Sequence, residues 1–176
     1  MTVTQNGNVY TISGFTSNIT IDITKTLVGD VEVYEYITLT GGKTMFLVTY
    51  VNNALGNTDI PHYGNAPMLW SEEYEAYCYL VIDTALTAEQ AKAKIAVKAG
   101  TKTAIEYTNN VNGSTETDAA DAQLVYNMYT AEYNDFGTVG VDKFLGADLN
   151  GDKKIDVSDA VVIINGILGI QETEAN

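Results

Sequence analysis

The sequence predicts an α+β protein in which a β-sandwich-like domain with one helix precedes a small all-α domain. From Asn8 to about Asp83, apolar and polar residues mostly alternate, which is typical of half-buried strands. One segment of helical periodicity follows. After Tyr107 the composition changes to asparagine, aspartate and alanine, with two apolar helical runs. We therefore place a β-rich domain at residues 1–107 and a second domain at residues 108–176.

The predicted strands are short β-branched and aromatic runs that turn signals separate. The turn signals are Ser13-Gly14, Gly29-Asp30 and Gly41-Gly42. The strands lie around Val9 and Thr11; Ile19, Ile21 and Ile23; Val31, Val33 and residues 36–39; residues 45–51; and, later, residues 75–82. Residues 52–70 are rich in turn signals, and we expect a surface loop there.

The helix of the first domain is predicted from its start signal. Thr87 and Gln90 have the spacing of a capping box, in which two side chains satisfy free backbone N–H groups at a helix start. Ala88, Ala91 and Ile95 then follow at helical spacing, and Gly100 is a natural stop. We expect residues 103–107 to form the last strand.

Composition excludes several classes of function. Twenty-three acidic residues face nine basic ones, all lysine, for a net charge of -14. Nucleic acid is not an expected partner, because binding its backbone needs a positive surface. The single cysteine, Cys78, allows no disulfide within the chain and fits a buried thiol. The sequence contains no apolar stretch of about 18 residues, so membrane insertion is not expected.

The segment from Asp148 to Asp159 has the ligand spacing of an EF-hand calcium loop, and we call it the second loop. Calcium prefers six to eight oxygen ligands, and a tight loop converges alternate residues on one point. Oxygen-bearing side chains stand at positions 1, 3, 5, 9 and 12, and position 7 offers a backbone carbonyl. These residues are Asp148, Asn150, Asp152, Asp156, Asp159 and, at position 7, Lys154.

An earlier segment, from Asn110 to Asp121, repeats the pattern, and we call it the first loop. Its candidate ligands are Asn110, Asn112, Ser114, Glu116, Asp118 and Asp121. An Asp-Ala step into an apolar helix ends each loop, which indicates an internal duplication. The first loop has fewer carboxylates, so we expect two calcium sites of which the second is stronger. The alternative for the first loop is a turn that only keeps the shape.

This duplicated loop, with Asn-Gly at positions 3 and 4, aspartate at position 12 and a helix after each copy, resembles the dockerin module of cellulosome-type assemblies. The resemblance covers Asn110 to about Ile170. It implies calcium-dependent docking onto cohesin modules of scaffold proteins or cell-surface anchors. A β domain fused directly before it resembles an X-module. One departure is that Thr115 and Lys153 occupy loop position 6, where glycine is expected.

The resemblance also implies a partner surface at loop positions 10 and 11 and on the following helix. In the first repeat these residues are Ala119, Ala120, Gln123, Tyr126 and Asn127; in the second they are Val157, Ser158, Ile163, Ile164 and Asn165. The two faces differ, so one preferred face is expected. Most of the apolar residues of the second helix are interpreted as core packing between the repeats: Val161, Ile163, Ile164, Ile167 and Leu168.

The sequence thus favours a calcium-dependent protein–protein interaction module for a cohesin-type partner, from an extracellular or cell-surface protein of which this chain is an excised piece. The alternative is a carbohydrate-binding or adhesive β domain with a structural calcium tail, because twelve tyrosines and Trp70 could stack on sugars. An enzyme is not expected, since no nucleophile elbow, phosphate loop or dinucleotide fingerprint is present.

Overall fold

The computed structural model describes residues 2–6, 9–13, 29–56, 58–131, 135–137 and 139–170. Within these ranges the chain combines antiparallel sheets with four α-helices. The strands are β1 (Thr2–Asn6), β2 (Val9–Ser13), β3 (Asp30–Thr38), β4 (Thr44–Val51), β5 (Asp59–Tyr63), β6 (Ala66–Pro67), β7 (Leu69–Ser71), β8 (Ala76–Asp83) and β9 (Ile95–Ala99). The helices are α1 (Ala88–Lys92), α2 (Ala119–Thr130), α3 (Val141–Gly146) and α4 (Val157–Leu168).

The strands form three antiparallel sheets. β1 and β2 make a hairpin, β3-β4-β8-β7 make a four-stranded sheet, and β6-β5-β9 make a three-stranded sheet. The expected strand at Ile19, Ile21 and Ile23 lies outside the described residues. The α+β class is confirmed at this level.

The four-stranded sheet is buried on both faces, which explains the continuous apolar run of β4. Met45 and Leu47 belong to one core cluster, whereas Val48 and Tyr50 belong to a second cluster with Ile60 of the three-stranded sheet. Successive strand residues point to opposite faces, so each cluster takes alternate positions. The sheet is therefore the middle layer, between the three-stranded sheet and the C-terminal helices.

The C-terminal helices pack on each other and on this sheet. Val125 of α2, Phe144 of α3 and Ile163 of α4 are fully buried in the same cluster as Met45 and Leu47. Tyr36 links the layers directly: its hydroxyl donates to the Phe144 carbonyl at 2.9 Å, and its carbonyl accepts from Ile155 N at 3.0 Å. Residues from both sides of position 108 thus share one core.

The capping box at Thr87 and Gln90 is confirmed, but the helix after it is shorter than predicted. It ends at Lys92, and Ile95 begins strand β9 instead of continuing the helix. β9 pairs with β5 along its whole length, so tertiary pairing overrides the helical spacing of Ala91 and Ile95.

Two other predictions are wrong. Residues 52–70 do not form a surface loop alone, because they contain β5, β6 and the start of β7. Residues 103–107 form only an isolated bridge, in which Ala104 pairs with Trp70. The sequence also did not predict α3, which lies between the two loop–helix repeats.

Candidate metal centre and docking surface

The second loop adopts the sharp turn of a calcium loop although it lacks glycine at position 6. Lys153 at that position has φ 67°, in the left-handed region, and Gly151 at position 4 has φ 73°. A left-handed non-glycine residue costs about 1–2 kcal/mol. Contacts hold the Lys153 side chain: its Nζ donates to the Tyr34 hydroxyl at 2.9 Å and lies 4.3 Å from the Tyr34 ring centroid.

Asp148, at loop position 1, is buried beneath this turn with 1% of its surface exposed. Its Oδ2 accepts from Lys153 N at 2.8 Å and from the Tyr74 hydroxyl. Its Oδ1 accepts from Asp152 N at 3.2 Å. Burial raises the pKa of Asp148 to about 6; the Asp159 and Asp152 carboxylates add to the rise, and the Tyr74 hydrogen bond opposes it.

The neighbouring Asn150 and Asp152 side chains accept hydrogen bonds from the loop backbone. Asn150 Oδ1 accepts from Asp152 N at 3.0 Å, and Asp152 Oδ1 accepts from Lys154 N at 3.0 Å. These short local bonds are Asx turns, which fold the backbone tightly around the side-chain oxygens.

The last two candidate ligands also cap helix α4. Asp156 Oδ1 accepts from Ser158 N at 2.7 Å, and Asp159 Oδ2 accepts from Asp156 N at 2.9 Å, which forms a capping box. The hydrogen bonds from Ser158 lower the pKa of Asp156, whereas burial raises the pKa of Asp159. A capping box alone accounts for these two residues without a metal.

The donor chemistry of the second loop fits calcium. In the part of the chain that the structure describes, no three His, Cys, Asp or Glu side chains form a ready metal cluster. However, Asp148 and Asp159 are both buried, and the negative charge of Asp159 disfavours ionisation of Asp148. A divalent cation would neutralise such carboxylates, and calcium prefers oxygen ligands.

The first loop repeats the hydrogen-bond pattern at its end. Asp121 Oδ1 accepts from Asn112 N and its Oδ2 accepts from Asp118 N, both at 2.9 Å. Asp118 caps helix α2 by accepting from Ala120 N at 2.8 Å. Asn112 Oδ1 accepts from Ser114 N at 2.7 Å, and the Ser114 hydroxyl donates to the Glu116 carbonyl at 2.8 Å. The duplication therefore extends to hydrogen-bonding geometry.

Three features of the first loop fit calcium less well than those of the second. Thr115 at position 6 is not left-handed, because Glu75 and Lys153 are the non-glycine residues with positive φ among those described. The Asn110 amide donates to the Ser114 carbonyl at 2.6 Å across the loop. Lys143 Nζ donates to the Asn112 carbonyl at 3.2 Å, so a cationic side chain already touches the loop. One feature favours a ligand: Asn110 Oδ1 is buried and has no hydrogen-bond partner within the part of the chain that the structure describes.

Helix α4 exposes an apolar stripe, which we define as Val157, Val161, Ile164 and Leu168. Their exposed fractions lie between 41% and 65%, and Ile167 beside them is also exposed. The interpretation of these residues as core packing between the repeats is wrong for Val161, Ile164, Ile167 and Leu168. Ile163 is the exception: it is completely buried and packs in the core. Its place on the predicted partner surface is therefore wrong.

Helix α2 offers a more polar surface. Ala119, Ala120, Gln123, Tyr126 and Asn127 are all exposed, as expected of a partner surface. Tyr126 is the large apolar side chain among them, 49% exposed and in edge contact with Tyr129. On α4, Ser158 and Asn165 are half-buried, and Ser158 Oγ accepts from Asn150 Nδ2 at 2.7 Å.

Tyr74 and Lys143 contact the loops, and sequence reasoning missed both. Tyr74 lies 74 positions before Asp148, and Lys143 lies 31 positions after Asn112. No local spacing signals such distant contacts, which only the fold creates.

Comparison of the chain with protein-family models, curated proteins and solved structures returned no match. Among the helices that the structure describes, none is both long enough and apolar enough to cross a membrane.

Proposed function

We propose that this chain is a calcium-dependent protein–protein interaction module that docks its parent protein onto a cohesin-type partner. The observation that carries this proposal is the apolar stripe of α4, whose helix begins at the candidate ligands Asp156 and Asp159. In this account residues 108–176 act as the dockerin-like domain with two calcium loops, and residues 1–107 act as a β-sandwich-like accessory domain.

The stripe supports docking because large apolar side chains at i, i+4, i+7 and i+11 lie on one side of a helix. Leaving several of them in water is unfavourable, and such patches mark protein–protein contact sites. A helix that presents this pattern inserts its apolar side into a complementary surface on a partner.

Calcium enters the proposal through the start of the same helix. Asp159 belongs to the loop as its last candidate ligand and to α4 as its N3 residue. Binding calcium to the loop would therefore fix the direction in which α4 leaves it. We propose that the partner recognises this fixed orientation. We also propose that the parent is an extracellular or cell-surface assembly protein and that this chain has no catalytic activity of its own.

The contrast between the helices supports one preferred docking face. The α4 stripe is apolar, whereas the exposed surface of α2 consists of small and polar residues around Tyr126. A partner that buries the α4 stripe would gain more hydrophobic free energy than one that buries α2. We propose α4 as the principal docking face.

The test is binding of the full chain to a panel of immobilised cohesin-type modules in calcium and in chelator. We expect calcium-dependent binding to at least one member. The Ile164→Asp substitution, at an exposed position, should weaken that binding by at least tenfold, because it places a charge in the apolar contact. Tyr126→Ala is the matched control on α2 and should leave the affinity within about threefold. Loss of binding with Tyr126→Ala alone would move the interface to α2.

The carbohydrate alternative has less support from the aromatic residues. Tyr36, Tyr50 and Tyr77 lie in the core, and Lys102 Nζ sits 3.6 Å from the Trp70 ring centroid. A glycan-binding screen of the full chain distinguishes the two functions. Saturable binding to a glycan, together with no binding to any cohesin-type module, would favour the alternative.

A further inference from the structure

The turn between β7 and β8 packs against the second loop. This turn runs from Glu72 to Glu75, and the Tyr74 hydroxyl donates to Asp148 Oδ2. A Cβ atom added to Gly151 would lie 2.7 Å from Glu73 Oε1, so turn and loop are in close contact there. An acidic turn from the β-rich part of the chain thus adjoins a loop rich in carboxylates.

The turn is held in a defined conformation. Tyr74 N donates to Ser71 Oγ at 3.0 Å, and the Tyr74 ring makes an edge contact with Tyr107, with centroids 6.3 Å apart. Glu75 completes the turn in the left-handed region, with φ 49°. Because backbone and ring are both fixed, the Tyr74 hydroxyl has a fixed position relative to Asp148.

The two oxygens of Asp148 are used differently. Oδ2 accepts two hydrogen bonds, one from Tyr74 and one from Lys153 N. Among the described residues, Oδ1 accepts only the 3.2 Å contact from Asp152 N, which leaves acceptor capacity for a cation. Because these two hydrogen bonds hold Oδ2, Asp148 presents Oδ1 in one orientation. Hydrogen bonds to the ligands of known metal sites orient those ligands in the same way.

We infer that Tyr74 is a positioning residue of the calcium site: it orients the position 1 carboxylate from the β-rich part of the chain. The inference rests on the proposed calcium binding by the second loop. It means that the β7–β8 turn belongs functionally to the calcium site. By thermodynamic reciprocity, calcium should in turn strengthen the contact between turn and loop.

The experiment is calorimetric titration of the full, chelator-stripped chain with calcium chloride. Tyr74→Phe removes only the hydroxyl and should weaken calcium binding at the stronger site by about 10-fold or more, as loss of an outer-shell partner does. The matched control is Tyr50→Phe, which removes a buried hydroxyl bonded to Asn52 on the other face of the same sheet. Its calcium affinity should equal that of the parent.

A double-mutant cycle separates positioning from a general structural effect. If Tyr74 acts through Asp148, adding Tyr74→Phe to Asp148→Asn should change the calcium affinity by less than about twofold. Should the single variant not fold, hydrogen exchange of the parent decides instead. Calcium should slow exchange of the Tyr74 amide, which bonds to Ser71; an equal rate with and without calcium would overturn the inference.

The outcomes distinguish the two proposals. Calcium binding by the parent with unchanged affinity in Tyr74→Phe would overturn the role of Tyr74 and leave calcium binding intact. Absence of calcium binding by the parent would overturn both.

Discussion

Buried aspartates at equivalent positions of the two loops have different surroundings. Asp159 and Asp121 both close a loop and accept backbone N–H groups at its start. The second loop adds a buried Asp148, whereas the first places the neutral Asn110 at the same position and has Lys143 in contact. The charge of each loop therefore sets its expected calcium affinity.

Removing the first and last candidate ligands of each loop tests this asymmetry. Asp148→Ala with Asp159→Ala should abolish the tighter calcium site, because both buried carboxylates are lost. The matched change is Asn110→Ala with Asp121→Ala, which also removes a capping-box aspartate. It should leave the tighter calcium site in place. Calorimetric calcium titration measures both. Retention of the tighter site in the Asp148 and Asp159 variant would contradict the assignment.

The single thiol offers a prediction that does not involve calcium. Cys78 is completely buried, and burial raises its pKa from about 9 to about 12. Because the folded pKa is the higher one, this group contributes stability below about pH 9, which is lost as the pH rises toward 12. At pH 8 the native thiol should react with a disulfide reagent much more slowly than the thiol of the unfolded chain, because it is buried and its thiolate is disfavoured. Equal rates, followed by absorbance, would show that Cys78 is accessible.

Helix α3 approaches the preceding segment as closely as backbone allows. A Cβ atom on Gly146 would lie 2.4 Å from the Glu106 carbonyl oxygen, which cannot move without shifting the backbone. Gly146 thus sets the distance between α3 and the segment that joins the two parts of the chain.

Gly146→Ala should lower the free energy of unfolding by about 1–3 kcal/mol, the usual cost of forcing atoms into a packed site. Gly166→Ala in α4 is the control, because its Cβ would meet, among the described residues, only the Asn109 side chain, at 3.1 Å. Alanine also favours helix over glycine by about 1 kcal/mol. Denaturant melts of both variants measure the difference, and equal stabilities would argue against the close approach.

The sequence predicted those elements whose signals are local. Capping at Thr87, the strand around residues 45–51 and the helices after each loop follow from neighbouring residues. Strand β9 and the exposure of the α4 stripe did not follow, because both depend on what packs alongside. Helical spacing gives the period of an apolar face, but it cannot say whether that face meets the core or a partner.

For the candidate site the same division holds. The candidate oxygen ligands were chosen from their spacing, since the ligands of a calcium loop lie close together in the sequence. Tyr74 could not be found in this way, because it reaches Asp148 through pairing of β7 with β8 and packing of that hairpin on the loop.

At the scale of the whole molecule, the β-rich and helical parts share a core and several specific bonds. Tyr36 forms hydrogen bonds with Phe144 and Ile155, and Lys153 forms one with Tyr34. A connection as short as residues 107–110 does not act as a flexible tether when both sides are packed together. We therefore expect the two parts to behave as one unit in the presence of calcium.

Limited proteolysis tests this expectation. In calcium, the peptide bonds from Tyr107 to Asn110 should resist a non-specific protease under conditions that cleave an unfolded control, because cleavage requires local unfolding. Mass spectrometry identifies the cleavage sites. Rapid cleavage within these four residues in calcium would contradict the single-unit account.

The most direct test of the calcium assignment is the thermal midpoint of the full chain in chelator and in calcium. A ligand that binds only the folded state at about 100 times its Kd adds about 2.7 kcal/mol of stability. For a chain of this size that is a rise of roughly 5–10 °C. We expect such a rise with calcium, and none with magnesium at the same concentration. Identical midpoints in chelator and in saturating calcium would contradict the account.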